Sequence, residues 1–176
     1  MKIPNSDVLW SAFWLQSSNM RQVGNEGMDG TEIDVYESAF IKSNTSKMGH
    51  ALLWDGYGKN AKSSGYIGEL EQNLYDGYHT YALKWTPEYY VFYIDGVATW
   101  ASNAGDVSRV KQFLRLTVEI DAGDGWGPHA QKIGQFSHNN EDNEDFEIDY
   151  VKVWQNENYE QFIKDESEFT GSFDLS

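Results

Sequence analysis

The chain has 176 residues and no cysteine, which suits one domain with a sizeable core and excludes disulfides, thiolate metal sites and thiol nucleophiles. Lys and Arg total 13 against 28 Asp and Glu, a net charge of −15. That excess repels phosphate backbones and anionic headgroups, so nucleic acid and membrane surfaces are excluded as partners.

No apolar run approaches a membrane span, no signal peptide is recognisable, and structure is expected to begin almost at once, at Val8-Leu9-Trp10. Short alternating runs bounded by turn residues follow one another, the pattern of antiparallel β-structure. The first is Trp10 to Leu15. A Gly-rich loop, Gly24 to Gly30, leads into a second from Thr31 to Tyr36, and a third, His50 to Trp54, ends at Asp55-Gly56. Tyr89 to Ile94 and Val97 to Trp100 flank Asp95-Gly96, a dipeptide that takes the positive φ values of a two-residue hairpin turn. Pro87 stands just before that hairpin, where no ladder donor is needed. Phe113 to Ile120 and Phe146 to Trp154 complete the strands, and residues 156–176 form an acidic, polar tail or linker. Without a long helix, this order predicts an all-β sandwich.

The chemistry lies in Glu32-Ile33-Asp34-Val35-Tyr36-Glu37. Side chains alternate across a strand, so Glu32 and Asp34 share one face while Ile33 and Val35 take the core. Strict alternation sends Glu37 to the core as well. One β-bulge near Val35-Tyr36 returns it to the carboxylate face and sets three acids in a row. Crowded carboxylates perturb one another's ionisation. A retaining glycosidase needs one ionised and one protonated carboxyl roughly 5 to 5.5 Å apart. The α-carbons of Glu32 and Glu37 would be about 13 Å apart on a bulged strand, a gap that inward-leaning side chains reduce. Spacing alone fits an ordinary acidic strand face as well: Glu147-Ile148-Asp149 repeats Glu-x-Asp but has Val151 and Lys152 where a third acid would stand.

Glu32 to Glu37 resembles the bulged Glu-x-Asp-x-x-Glu signature of glycoside hydrolase family 16. Trp10-Ser11-Ala12-Phe13-Trp14-Leu15 is similar to the strand upstream of that signature. His79 to Pro87 with Phe92 to Gly96 resembles a further family segment, and Ile148 to Trp154 its closing strand. The resemblance spans residues 2 to about 155, and residues 1–155 are taken as the catalytic domain. It implies a concanavalin-like jelly-roll of two antiparallel sheets, incomplete at its N-terminus because the family carries strands before the Trp10 segment. It also implies Glu32 as nucleophile, Asp34 as assisting acid and Glu37 as general acid/base. The bulged form is similar to the laminarinase, agarase and carrageenase branches, whereas lichenases and xyloglucan transferases lack the bulge. The expected function is endo-hydrolysis of a β-1,3-glucan. The rivals are β-galactans as substrate and a non-catalytic, lectin-like sandwich. A monomer acting outside the cell or at its surface is expected.

Parity places Arg115, Thr117 and Glu119 away from the core, towards a cleft, with Leu114, Leu116 and Val118 on the other side. His50 and Trp54 share a face and are expected to reach substrate. Trp10 and Trp14 offer a second aromatic platform, and Trp126 resembles the family's loop tryptophan that stacks on sugar. No cofactor is indicated, a structural calcium ion included. His50 and His79 as a metal-binding pair are outweighed by ordinary hydrogen-bonded strand histidines.

Overall fold

A computed structural model describes residues 1–6, 9–38, 46–119 and 145–173. Its strands are β1 (Trp10–Gln16), β2 (Gln22–Val23), β3 (Glu32–Glu37), β4 (Lys47–Trp54), β5 (Lys62–Glu69), β6 (Tyr81–Trp85), β7 (Tyr90–Ile94), β8 (Val97–Ser102), β9 (Phe113–Glu119) and β10 (Ser172–Phe173). Five of them pair antiparallel in the order β5-β4-β3-β1-β9, and β6-β7-β8 form a second sheet. The remaining pair is β2 with β10. This is the antiparallel, two-sheet architecture expected.

Alternation decides what lies between the sheets. From the larger sheet come Ile33, Val35, Tyr36, Met48, Leu52 and Trp54, all buried; from the smaller come Tyr81, Tyr90, Phe92 and Ile94. Rings bridge the layers, Tyr36 to Tyr81 at 5.0 Å between centroids and His50 to Phe92 at 4.7 Å. The β7–β8 hairpin turns on Asp95 (φ 48°) and Gly96 (φ 79°), the two positive values that the dipeptide favours. Asp95 then accepts from the Thr80 N–H at 2.8 Å and from His79 Nδ1 at 2.6 Å, which ties the turn to the start of β6.

Two expectations are corrected. Phe146 to Trp154 is not a strand: only Glu147 finds a ladder partner, in Lys2, with a 2.6 Å ion pair beside it. Alternation permits a strand, but extended backbone needs an edge to pair with. Among the described residues none accepts it beyond Glu147, so Val153 and Trp154 are 77% and 81% exposed. They line an apolar groove of about 1210 Å³ with Phe13, Leu83 and Leu116. The edge position of β9 has the same effect on Leu114 and Val118, which remain 37% and 39% exposed on the core side.

The polar stretch after residue 155 is likewise no free tail over residues 156–173. It forms two 3-10 turns, capped by Asn156 and Asp165, and returns to the body. There Ser18 and Asn19 bond to Glu166, Asn25 bonds to the Thr170 carbonyl, and β10 pairs with β2. Its composition was legible as polar; its docking depended on partners far away in sequence.

Candidate active site

Strand β3 carries the bulge. Asp34 stands opposite Ala51 of β4, but Glu37 stands opposite Gly49, so one extra residue lies on β3 between them. The register with β1 shifts at the same level, from Trp14↔Asp34 to Phe13↔Tyr36 and Ala12↔Glu37. Directly opposed residues share a face. Glu32, Asp34 and Glu37 therefore project together from the larger sheet, away from Ile33, Val35 and Tyr36. Across the ladders Glu37 stands beside Ala12 and Gly49, and Asp34 beside Trp14 and Ala51. On the core side the Val35 carbonyl at the bulge lies 2.7 Å from His50 Nδ1.

Each acid has a different environment. Glu32 accepts from Gln16 Nε2 at 2.9 Å and from the Tyr57 hydroxyl. Burial raises its carboxyl above the ordinary value, while these two donors and the charges of Arg115 and Arg21 work in the opposite direction. Asp34, 3% exposed, is raised well above the usual range by burial and then by the charges of Glu37 and Glu32. Glu37 accepts from the Trp10 indole N–H at 3.0 Å. Burial first, and the Glu32 charge second, push it up to about 7. The two glutamates thus differ in what opposes burial: two donors and two arginine charges at Glu32, one indole donor at Glu37.

Strands β1 and β9 form one wall. Trp10 stands opposite Glu119, Ala12 opposite Thr117 and Trp14 opposite Arg115. The Trp14 indole donates to Thr117 Oγ1 at 3.1 Å, and the Arg115 guanidinium lies 4.6 Å above the same ring. Trp14, Arg115 and Glu119 are therefore on the acid face, as parity indicated.

His50 and Trp54 are not, and the expectation that they reach substrate is corrected. Glu32 faces Leu53 across the ladder and Ile33 faces Leu52, so the even-numbered residues of β4 point into the core. His50 is 3% exposed, with Nε2 lying 2.8 Å from Thr99 Oγ1, and burial lowers its imidazole to about 4. Trp54 packs on the Gly105 backbone, where φ is +71° and a Cβ would collide with the indole. Parity within β4 groups its residues, but only the register with β3 says which group faces the core. Trp126 lies outside the described residues.

Sequence reasoning missed Gln16 and Tyr57, and took Trp10 as a platform rather than as the donor to Glu37. Gln16 shares the parity of Trp10 and Trp14, so alternation was a usable signal for it. Tyr57 follows the Asp55-Gly56 turn, where both φ values are positive, and no periodicity reaches it. Among the described residues no group of three or more His, Cys, Asp or Glu is placed to hold a metal ion. None of their helices is long and apolar enough to cross a membrane, which says nothing of strands.

The same fold occurs in solved structures. A family 16 endo-glucanase from Bacteroides ovatus aligns with a TM-score of 0.55 at 22% identity, over 73% of this chain and 54% of its own. Porphyranase B from Zobellia galactanivorans gives 0.53 at 22% identity, over 68% and 48%. LamAcat from the same organism gives 0.53 at 16%, over 73% and 53%. This chain spans about half the length of those it matches. No curated protein matches it. A jelly-roll sandwich with an acid cluster on one sheet face is the class that fold and site define. The sequence profile of Glycosyl hydrolases family 16 matches residues 1–152, and the chain belongs to that family.

Proposed function

We propose that the chain is the catalytic part of a retaining endo-β-glycanase acting on a β-linked polysaccharide, with β-1,3-glucan as the substrate. The observation that carries this reading is the uneven treatment of three acids on one strand face, Glu32 held by two donors and Glu37 raised to about 7. The ionised Glu32 attacks the anomeric carbon as the bond to the leaving oxygen breaks and Glu37 gives that oxygen its proton. A glycosyl ester on Glu32 results. Glu37, now ionised, takes a proton from water, whose oxygen attacks the anomeric carbon and releases Glu32 with overall retention. Asp34 stands between the two in the strand as the assisting acid, and its own raised carboxyl suits it to hold its proton beside the charged Glu32. A polymer substrate places this chemistry outside the cell or at its surface, carried out by a monomer.

The bulged signature supports a glucan of the laminarin type. The likeness to porphyranase B supports a β-galactan as second reading. Release of reducing ends from laminarin, lichenan, agarose, carrageenan and porphyran, measured in parallel, tests both. Release from laminarin above the others is expected. Release from a galactan alone favours the second reading. Oligosaccharide binding by calorimetry with no release from any polymer overturns the enzyme reading in favour of a lectin-like sandwich.

A further inference from the structure

Three acids share a buried face, and burial alone raises all three. A double displacement needs one of them to carry charge and to present a free oxygen. What distinguishes Glu32 is a pair of donors from two separate parts of the chain. Gln16, the last residue of β1, reaches Glu32 Oε2 from the strand beside it. Tyr57 comes from the loop after β4, and its hydroxyl donates to the same oxygen. Gln16 Nε2 also contacts the Tyr57 hydroxyl, so the three groups close a triangle. The Tyr57 ring is held in turn by the Arg21 guanidinium, 5.1 Å from its centroid. The loop that presents Tyr57 is anchored by Gly56 N–H donating to the Met20 carbonyl at 3.0 Å, one residue before Arg21. Both donors engage Oε2, and among the described residues no hydrogen bond engages Oε1.

Resting on the hydrolase reading, we infer that Tyr57 with Gln16 is the positioning pair that selects Glu32 as the charged member of the triad and aims its Oε1 at the anomeric carbon. Removing a donor from the charged form makes that form harder to reach. Tyr57→Phe keeps the ring beneath Arg21 and deletes only the hydroxyl, so the fold survives the change.

Two readouts test this. In the pH profile of kcat/KM, the acid limb set by Glu32 is expected to move up by about one to two pH units in Tyr57→Phe, the worth of one hydrogen bond to a charged group. The turnover number should fall with little change in KM, and Gln16→Leu should move the limb in the same direction. A limb that stays in place, or a loss confined to KM, overturns the inference, because a residue that merely packs would not move an ionisation. The second readout needs no turnover: the carboxyl carbon of Glu32 is followed by NMR across pH, assigned by its loss in Glu32→Gln. A higher midpoint in Tyr57→Phe than in the wild type supports the pair, and an unchanged midpoint overturns it. Wild-type protein that cleaves no polymer removes the hydrolase reading, while this titration still decides the pair.

Discussion

Glu37 shares a face with Glu32 although the two are five residues apart, an odd spacing that an unbroken strand would send to opposite sides. The extra residue between Asp34 and Glu37 is what reverses the parity. Tyr36 takes the core position that Glu37 vacates and is fully buried there. Deleting Val35 removes the extra residue and restores strict alternation, so Glu37, then four positions from Glu32, keeps the acid face while Tyr36 keeps the core. A folded variant that retains hydrolysis is expected, destabilised by about 1–3 kcal/mol through loss of the buried Val35 side chain. Urea denaturation and reducing-end release measured together check this.

The basic limb of activity should report Glu37. Its carboxyl is pushed up to about 7, so the protonated acid that the first step needs is lost as pH rises through that value. The Trp10 indole opposes this rise by donating to the ionised form. Trp10→Phe should therefore move the basic limb upward, by up to about one unit. A downward shift in the kcat/KM profile would contradict the assignment of that proton to Glu37.

The same burial makes stability fall with pH. Asp29 is raised from 3.8 to about 6 and Glu37 from 4.5 to about 7, each chiefly by burial, and Asp34 is raised too. A carboxyl raised in the folded state contributes stability that is complete below its unfolded value and is lost as pH rises through its folded one. The window here runs from about pH 4 to 7. The melting temperature should be higher at pH 5 than at pH 8. Asp34→Asn should recover about 2–4 °C at pH 8, the effect of roughly 1 kcal/mol in a domain of this size, while lowering turnover. Calorimetric scans at the two pH values measure both changes.

His50 is a structural residue of the bulge. Its Nδ1–H donates to the Val35 carbonyl, and its ring stacks on Trp100 and lies tilted against Phe92. His50→Leu keeps the volume but leaves that carbonyl unpaired, at a cost of about 1–3 kcal/mol. Denaturant unfolding should register the loss while KM for the polymer is unchanged. A selective loss of substrate affinity in a fully folded variant would put His50 back in the cleft.

Much of this arrangement was legible before any coordinates. The Glu-x-Asp-x-x-Glu spacing demands a bulge if Glu37 is to join Glu32, and the hairpin turn at Asp95-Gly96 follows from backbone freedom at two residues. Arg115 and Glu119 followed from alternation once the core side of β9 was known. What failed was whatever depended on a partner distant in sequence. His50 and Trp54 look like cleft residues until Leu53 is found opposite Glu32. Residues 148–154 alternate like a strand, yet only an edge to pair with would make them one. Tyr57 was out of reach because a loop aims its side chain through the turn at Asp55-Gly56 and a contact to Met20, neither of which has a period.

The central claim is that Glu32 carries the reaction, and its removal is the most direct test. Glu32→Gln keeps the size of the side chain and its capacity to pair with Gln16 and Tyr57, so folding should be retained. Reducing-end release from the polymer that the wild type cleaves should drop at least about a thousandfold, with circular dichroism unchanged and no loss of melting temperature. Turnover by a folded Glu32→Gln equal to that of the wild type would contradict the account.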